Sequence, residues 1–257
     1  MPVVDTNFFV GPCPFRETPS DVDDLLALRE RAGLDLAIAT GFRSLLYYDP
    51  IAGLDGDLAQ YEALSAWLFF YATINPAFPQ LEEQVKRAAG DARIVGLRLF
   101  PTLHDGMLAS EQAIQVAHLA AEHGLPVNVA ARVFDGRVAP RYVNQGMIER
   151  ADLTAFLNQS KETTVIFSMF FFNELQSIEV DWDALPNVYL DLGCSKPSVA
   201  SLDEVPSWFP TDRVLFGTGA PFYYWGGSRL GLAGARLTED QKQGILGGNA
   251  MEVFPWG

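Results

Sequence analysis

Eight short apolar runs, separated by amphipathic stretches along 257 residues, predict an α/β fold whose parallel strands close into a (β/α)8 TIM barrel. Several of the runs are apolar without alternation, as a parallel strand covered on both faces requires. No Gly-x-Gly-x-x-Gly follows the first run and no P-loop occurs, so an open, nucleotide-binding sheet lacks its usual signals.

The first strand is read at Val3–Phe9. Asp21–Ala32 follows as a helix, with Leu25, Leu26 and Leu28 set against Asp23, Asp24, Arg29, Glu30 and Arg31 and a stop at Gly33. Leu34–Thr40 and Phe69–Asn75 are the second and third strands. Helix Leu81–Ala89 precedes strand Ile94–Pro101, and helix Glu111–His123, stopped by Gly124, precedes strand Pro126–Ala130. Helix Asp152–Gln159 leads into strand Thr164–Met169. Val188–Leu192 and Val214–Thr218 complete the set, and helix Glu239–Val253 closes the chain. No linker, repeat or low-complexity tract interrupts this order, so one domain over 1–257 is expected. The loops Arg132–Arg150 and Phe222–Arg236 follow strands five and eight, on the face where barrels carry their function.

Composition narrows the partners. Hydrophobic residues make up 49% of the chain and charged residues 19%, enough for a large core. A net charge of −14 with no basic stripe opposes binding to nucleic acid or anionic membranes. The most apolar window, Leu64–Ile74, is too short to span a bilayer. Met-Pro-Val-Val-Asp runs straight into a strand, so no leader is expected and a cytoplasmic location is. Cys13 and Cys194 form neither a disulfide framework nor a zinc-knuckle spacing.

Seven segments, in order from residue 3 to residue 254, together resemble the amidohydrolase superfamily, specifically its amidohydrolase 2 branch. Val3-Val4-Asp5-Thr6-Asn7-Phe8-Phe9 resembles an opening strand that normally reads Asp-x-His-x-His. Val95–Pro101 resembles a Gly-x-Lys-x-x-Pro strand, and Gly124–Ala130 and Thr164–Met169 resemble the strands that follow. Asn187–Asp191 resembles the seventh strand. Val214-Leu215-Phe216-Gly217-Thr218-Gly219-Ala220-Pro221-Phe222 resembles the eighth, normally Phe-Gly-Ser/Thr-Asp-x-Pro, and Ile245–Phe254 the closing helix. The resemblance implies a barrel and hydrolysis or decarboxylation assisted by one or two metals. It also admits metal-independent lactone hydrolysis.

The family's metal ligands do not carry over. Their positions hold Asn7, Phe9, Ala130, Met169 (Ser168 if the strand slips by one) and Gly219. Phe, Ala and Gly offer no donor, Asn is a weak neutral one, and a thioether suits soft metals. No catalytic metal and no cofactor are therefore expected. Of the three histidines, His118 and His123 read as structural or surface residues.

The candidate catalytic groups are Asp5, Asp191 and His104; the candidate ligand contacts are Asn7, Arg98, Arg132, Ser168, Thr218 and Tyr223. Arg98 stands where the family has lysine, and an arginine directed into a barrel must meet a carboxylate. That carboxylate belongs either to a small ligand or to the chain itself, with Asp5, Asp191 and Asp135 available for Arg98 and Arg132. Phe9, Phe100, Met169 and Phe222 either fill the former metal cavity or line an apolar pocket. Cys194, beside Lys196, and Cys13 are either nucleophiles or small apolar residues.

Two functional readings follow. One is a metal-free hydrolase acting on a small carboxylate or aromatic substrate. The other is an inactive ligand-binding or structural relative. A homodimer through Tyr47-Tyr48 or Tyr223-Tyr224-Trp225 is compatible with both.

Overall fold

The computed structural model describes residues 1–104, 107–133, 146–193 and 199–256. Eight parallel strands lie in sequence order: β1 (Val4–Val10), β2 (Leu36–Gly41), β3 (Leu68–Thr73), β4 (Ile94–Leu99), β5 (Val127–Ala130), β6 (Val165–Ser168), β7 (Val188–Asp191) and β8 (Val214–Leu215). The sheet closes where Thr6 N–H donates to Phe216 O (2.8 Å), Gly219 N–H to Asn7 O (2.7 Å) and Phe9 N–H to Ala220 O (2.7 Å). These bonds tie β8 and the residues after it to β1, completing the (β/α)8 barrel. The β8 ladder is shorter than the sequence reading because its pairing with β7 ends at Leu215, beyond which Phe216, Gly219 and Ala220 bond to β1.

Helix α1 (Val22–Ala32) starts at Asp21, whose carboxylate accepts from Asp24 N–H, and stops at Gly33 in the left-handed region. Two helices that the sequence reading left unassigned, α2 (Phe42–Leu46) and α3 (Pro50–Gln60), join β2 to β3. Asp49 caps α3 and proline occupies its first turn, a start signal present in the sequence. Buried Asp57 ties this hairpin together, accepting from Arg43 Nη1 (3.0 Å) and Ser44 N–H (3.3 Å). Next come α4 (Leu81–Ala89), α5 (Glu111–Glu122), α6 (Arg150–Gln159), α7 (Phe172–Gln176), α8 (Val199–Glu204) and α9 (Trp225–Gly234). The closing helix is α10 (Glu239–Gln243) and α11 (Asn249–Val253), joined by a π-helical turn at Gly244–Gly248. Asn249 there donates to the Thr211 and Val214 carbonyls at the foot of β8. Among the described residues no helix is long and apolar enough to cross a membrane.

The barrel interior is layered. Val4, Ile38, Tyr71, Ile166 and Leu215 form an apolar floor against Phe254 of the chain's end. Above it lie buried Asp5, Asn7, Thr40, Arg98, Asn128, Ser168, Asp191 and Thr218. Phe9, Phe42, Phe100, Ala130, Met169 and Phe222 make an apolar roof at the strand ends. A separate, larger cluster fills the space between strands and helices.

Candidate active site: a sealed polar layer

The polar layer gathers six of the nine candidate residues: Asp5, Asn7, Arg98, Ser168, Asp191 and Thr218. All are at most 2% exposed. Period-two alternation places Asp5, Asn7 and Phe9 on one face of β1, each a step closer to the mouth. Asp5 accepts from Thr218 N–H (3.0 Å), from the Thr218 hydroxyl, and from Asn7 N–H (3.1 Å). Asn7 turns its carbonyl to Arg98 Nη2 (2.8 Å) and its amide to Met169 Sδ (3.1 Å) and Asp191 Oδ1 (3.4 Å). Asp191 also accepts from Gly193 N–H (2.6 Å).

Arg98 is fully buried and rises from β4 into the centre. Nη1 donates to Thr40 Oγ1 (3.0 Å), and Nη2 donates to Ser168 Oγ (3.0 Å) as well as to Asn7. Its guanidinium carbon lies 5.0–5.5 Å from the ring centroids of Phe100, Phe9 and Tyr71. Burial lowers its pKa to about 10, which leaves it charged at neutral pH. Burial also raises Asp5 to about 7, against the hydrogen bonds from Thr218 and Asn7, with Asp191 adding repulsion. Asp191 is raised too, chiefly by burial, although Ser168, Arg98, Gly193 and Asn7 favour its charged form.

The Asp5 shift carries a stability consequence. A carboxyl that titrates higher when folded stabilises the fold fully below its unfolded pKa of 3.8, and that stabilisation is lost as pH rises through about 7. Stability is therefore expected to fall by up to about 4 kcal/mol between roughly pH 4 and 7 from this group. Chemical denaturation of Asp5→Asn against the parent across that range checks it: the parent's slope should flatten in the variant, and identical slopes would refute the assignment.

The remaining candidates lie elsewhere. Arg132 sits at the roof, paired with Glu174 by a hydrogen bond from each terminal nitrogen. It also donates to Met169 O (2.7 Å) and lies 4.2 Å from the Phe171 ring centroid. Glu174, missed in the sequence, carried one signal: it stands three residues into a helix start, where it accepts Phe171 N–H (2.7 Å). Tyr223 packs on the roof and donates to Val133 O (3.2 Å). His104 is apart from the polar layer, beside Phe100 and within hydrogen-bond reach of Leu45 O (3.3 Å). His118 approaches Gln159 O (2.8 Å), and His123 ends α5. Cys13 is partly buried beside the roof, while Asp135, Cys194 and Lys196 lie outside the described residues.

The roof closes the strand ends. Phe9 stacks on Phe42 (5.7 Å between centroids), and Phe222 meets both edge-on. Arg16 holds Phe222 in place by donating to its carbonyl (2.7 Å) and lying over its ring. Met169 adopts a left-handed backbone (φ 61°), a costly conformation for a long side chain. Asn7 bonds its sulfur and Arg132 its carbonyl, which fixes it there.

These residues do not fit a divalent ion. Asn7 offers the one oxygen among the five corresponding positions, and that oxygen already accepts from a guanidinium. Met169 offers a soft thioether, and Phe9, Ala130 and Gly219 offer nothing. Among the described residues no group of three or more His, Cys, Asp or Glu is placed to hold a metal.

Solved structures with this architecture include the 5-carboxyvanillate decarboxylase of Sphingomonas paucimobilis (TM-score 0.73, 14% identity, 98% of each chain covered). The 2,6-dihydroxybenzoate decarboxylase of Rhizobium aligns with TM-score 0.70 at 13% identity, covering 98% of each chain. An uncharacterised TIM-barrel protein of Bordetella bronchiseptica aligns with TM-score 0.73 at 18% identity, covering 98% of this chain and 97% of its own. At such identities the likeness is one of fold. No curated protein matches the chain in sequence. The amidohydrolase family model matches residues 58–256, beginning after the strand that carries Asp5, Asn7 and Phe9, and the chain belongs to that family.

Proposed function

We propose that this chain is a member of the amidohydrolase family that has given up metal-assisted catalysis and works as a structural or partner-binding barrel. One observation carries the reading: the strand-end positions where the family resemblance implies metal ligands hold packed apolar side chains. Phe9, Met169 and Phe222 form the roof there, and Arg98 occupies the layer beneath. Catalysis on a bound substrate needs a reachable nucleophile or base and room for the reacting atoms. Asp5, Asp191 and Ser168 are buried under packed aromatic rings and lack both. Arg132, the arginine nearest the rim among the candidates, is neutralised by Glu174 and so recognises a small carboxylate poorly. Partner binding or self-association would use exposed rings such as Tyr48, which meets Phe78 edge-on, and Tyr224.

A second reading, metal-free hydrolysis of a lactone or ester, is favoured by one feature. Burial raises the Asp5 carboxyl to about 7, the range that suits a general base. It requires Phe222 and its neighbours to swing away from the strand ends.

Turnover of lactones, esters and hydroxybenzoates, measured with chelator and with added zinc or manganese, separates the readings. The structural reading expects rates at the buffer background throughout. Chelator-resistant turnover abolished by Asp5→Asn would establish the second, and zinc-dependent turnover would contradict both.

A further inference from the structure

We propose that the Arg98 guanidinium is this barrel's resident cation: held by Asn7, Thr40 and Ser168 in the layer that buries Asp5 and Asp191, it takes over the charge compensation that a metal gives the family. The inference rests on the reading that no divalent ion occupies the barrel centre.

The placement supports it. Asn7 stands at the first metal-ligand position of β1, and its oxygen is bonded to Arg98 Nη2. The cradle uses three strands, with Asn7 from β1, Thr40 from β2 and Ser168 from β6. All three acceptors are neutral, and among the described residues Arg98 has no carboxylate within ion-pair distance. The two buried carboxylates are reached through Asn7. Its side-chain amide faces Asp191 and its backbone N–H faces Asp5. Asn7 is thus polarised with its carbonyl toward the cation and its donors toward the anions. That arrangement lets one positive charge serve two acids in a medium where an uncompensated charge is very costly.

The cradle is selective for a guanidinium. Two terminal nitrogens reach three oxygens, while the group lies close to Phe9, Phe100 and Tyr71. A planar, delocalised cation meets both demands, whereas an ammonium supplies the charge without the fork or the stacking.

The test uses the full chain carrying Arg98→Ala, refolded alone, with millimolar N-ethylguanidinium, or with the neutral isostere N-ethylurea. The variant should melt about 10 °C below the parent. N-ethylguanidinium should restore at least about half of that loss and N-ethylurea none, because binding to the folded state alone raises its stability. No rescue by the cation, or equal rescue by the urea, overturns the proposal. If Arg98→Ala yields no folded protein, Arg98→Lys and Arg98→Met decide. Lysine melting well above methionine supports a required charge, and methionine equal to or above lysine overturns it. Metal content of the parent is measured alongside. A tightly held zinc or manganese ion would sink the reading beneath the proposal, and failed rescue in a metal-free parent would sink the proposal alone.

Discussion

Gly193→Ala is expected to destabilise the protein by about 4 kcal/mol and to lower its melting temperature by roughly 10 °C. Gly193 follows β7, directly over the contact between Asn7 and Asp191. A methyl group there would overlap the Asn7 amide nitrogen and stand 2.7 Å from Asp191 Oδ1 and 2.9 Å from Asn7 Cγ. Both neighbours are fully buried and hydrogen-bonded, so neither moves without orphaning a polar group. Moving Asn7 would also release Arg98 and Met169, and moving Asp191 would break its bond from Gly193 N–H. Thermal unfolding of the purified variant measures the effect, and a loss below about 1 kcal/mol would mean that the layer is looser than its geometry implies.

Gly219→Asp restores the residue type that the family carries at this position, and it is expected to cost about 3 kcal/mol without creating a metal site. Gly219 has φ +72°, a region that side chains rarely adopt, and a Cβ there would lie 2.7 Å from the Tyr223 ring and 3.3 Å from Gly193 O. The new carboxylate would enter an apolar roof of Phe9, Met169 and Phe222. Arg98, beneath the roof, is already bonded to three oxygens, and Arg132, at the roof, is paired with Glu174. The measurement is a melting curve with and without zinc. A variant as stable as the parent, further stabilised by zinc, would show that one substitution reopens the centre.

The fold was legible because most strands are buried apolar runs and several helices carry a start or stop signal. Asp21 and Gly33 mark both ends of α1. The same logic points to α3 through Asp49-Pro50, but the region between β2 and β3 mixes glycine, aspartate and aromatics without a clean period, so α2 and α3 went unassigned. The donor types at the positions matching the family's metal ligands were legible residue by residue, because they are a matter of side-chain chemistry. How those residues are held was not. Asn7 bonds residues 91, 162 and 184 positions away, pairings that strand closure sets and spacing along the chain does not reveal. The sequence reading required a carboxylate for Arg98, whereas neutral oxygens and aromatic rings hold it. Glu174 was overlooked as the partner of Arg132 because it belongs to the short helix α7, which has little periodicity of its own.

On the proposed function, this barrel's own side chains, Arg98 foremost, stand in the place of a catalytic metal. Elemental analysis tests it most directly, on protein purified without chelators and again after incubation with zinc and manganese followed by desalting. Less than about a tenth of an equivalent in every sample is the result that a sealed, arginine-filled centre predicts. Near one equivalent of tightly held zinc or manganese in the parent protein, lost on substitution of Asp5 or Asp191, would contradict it and return metal-assisted hydrolysis as the leading function.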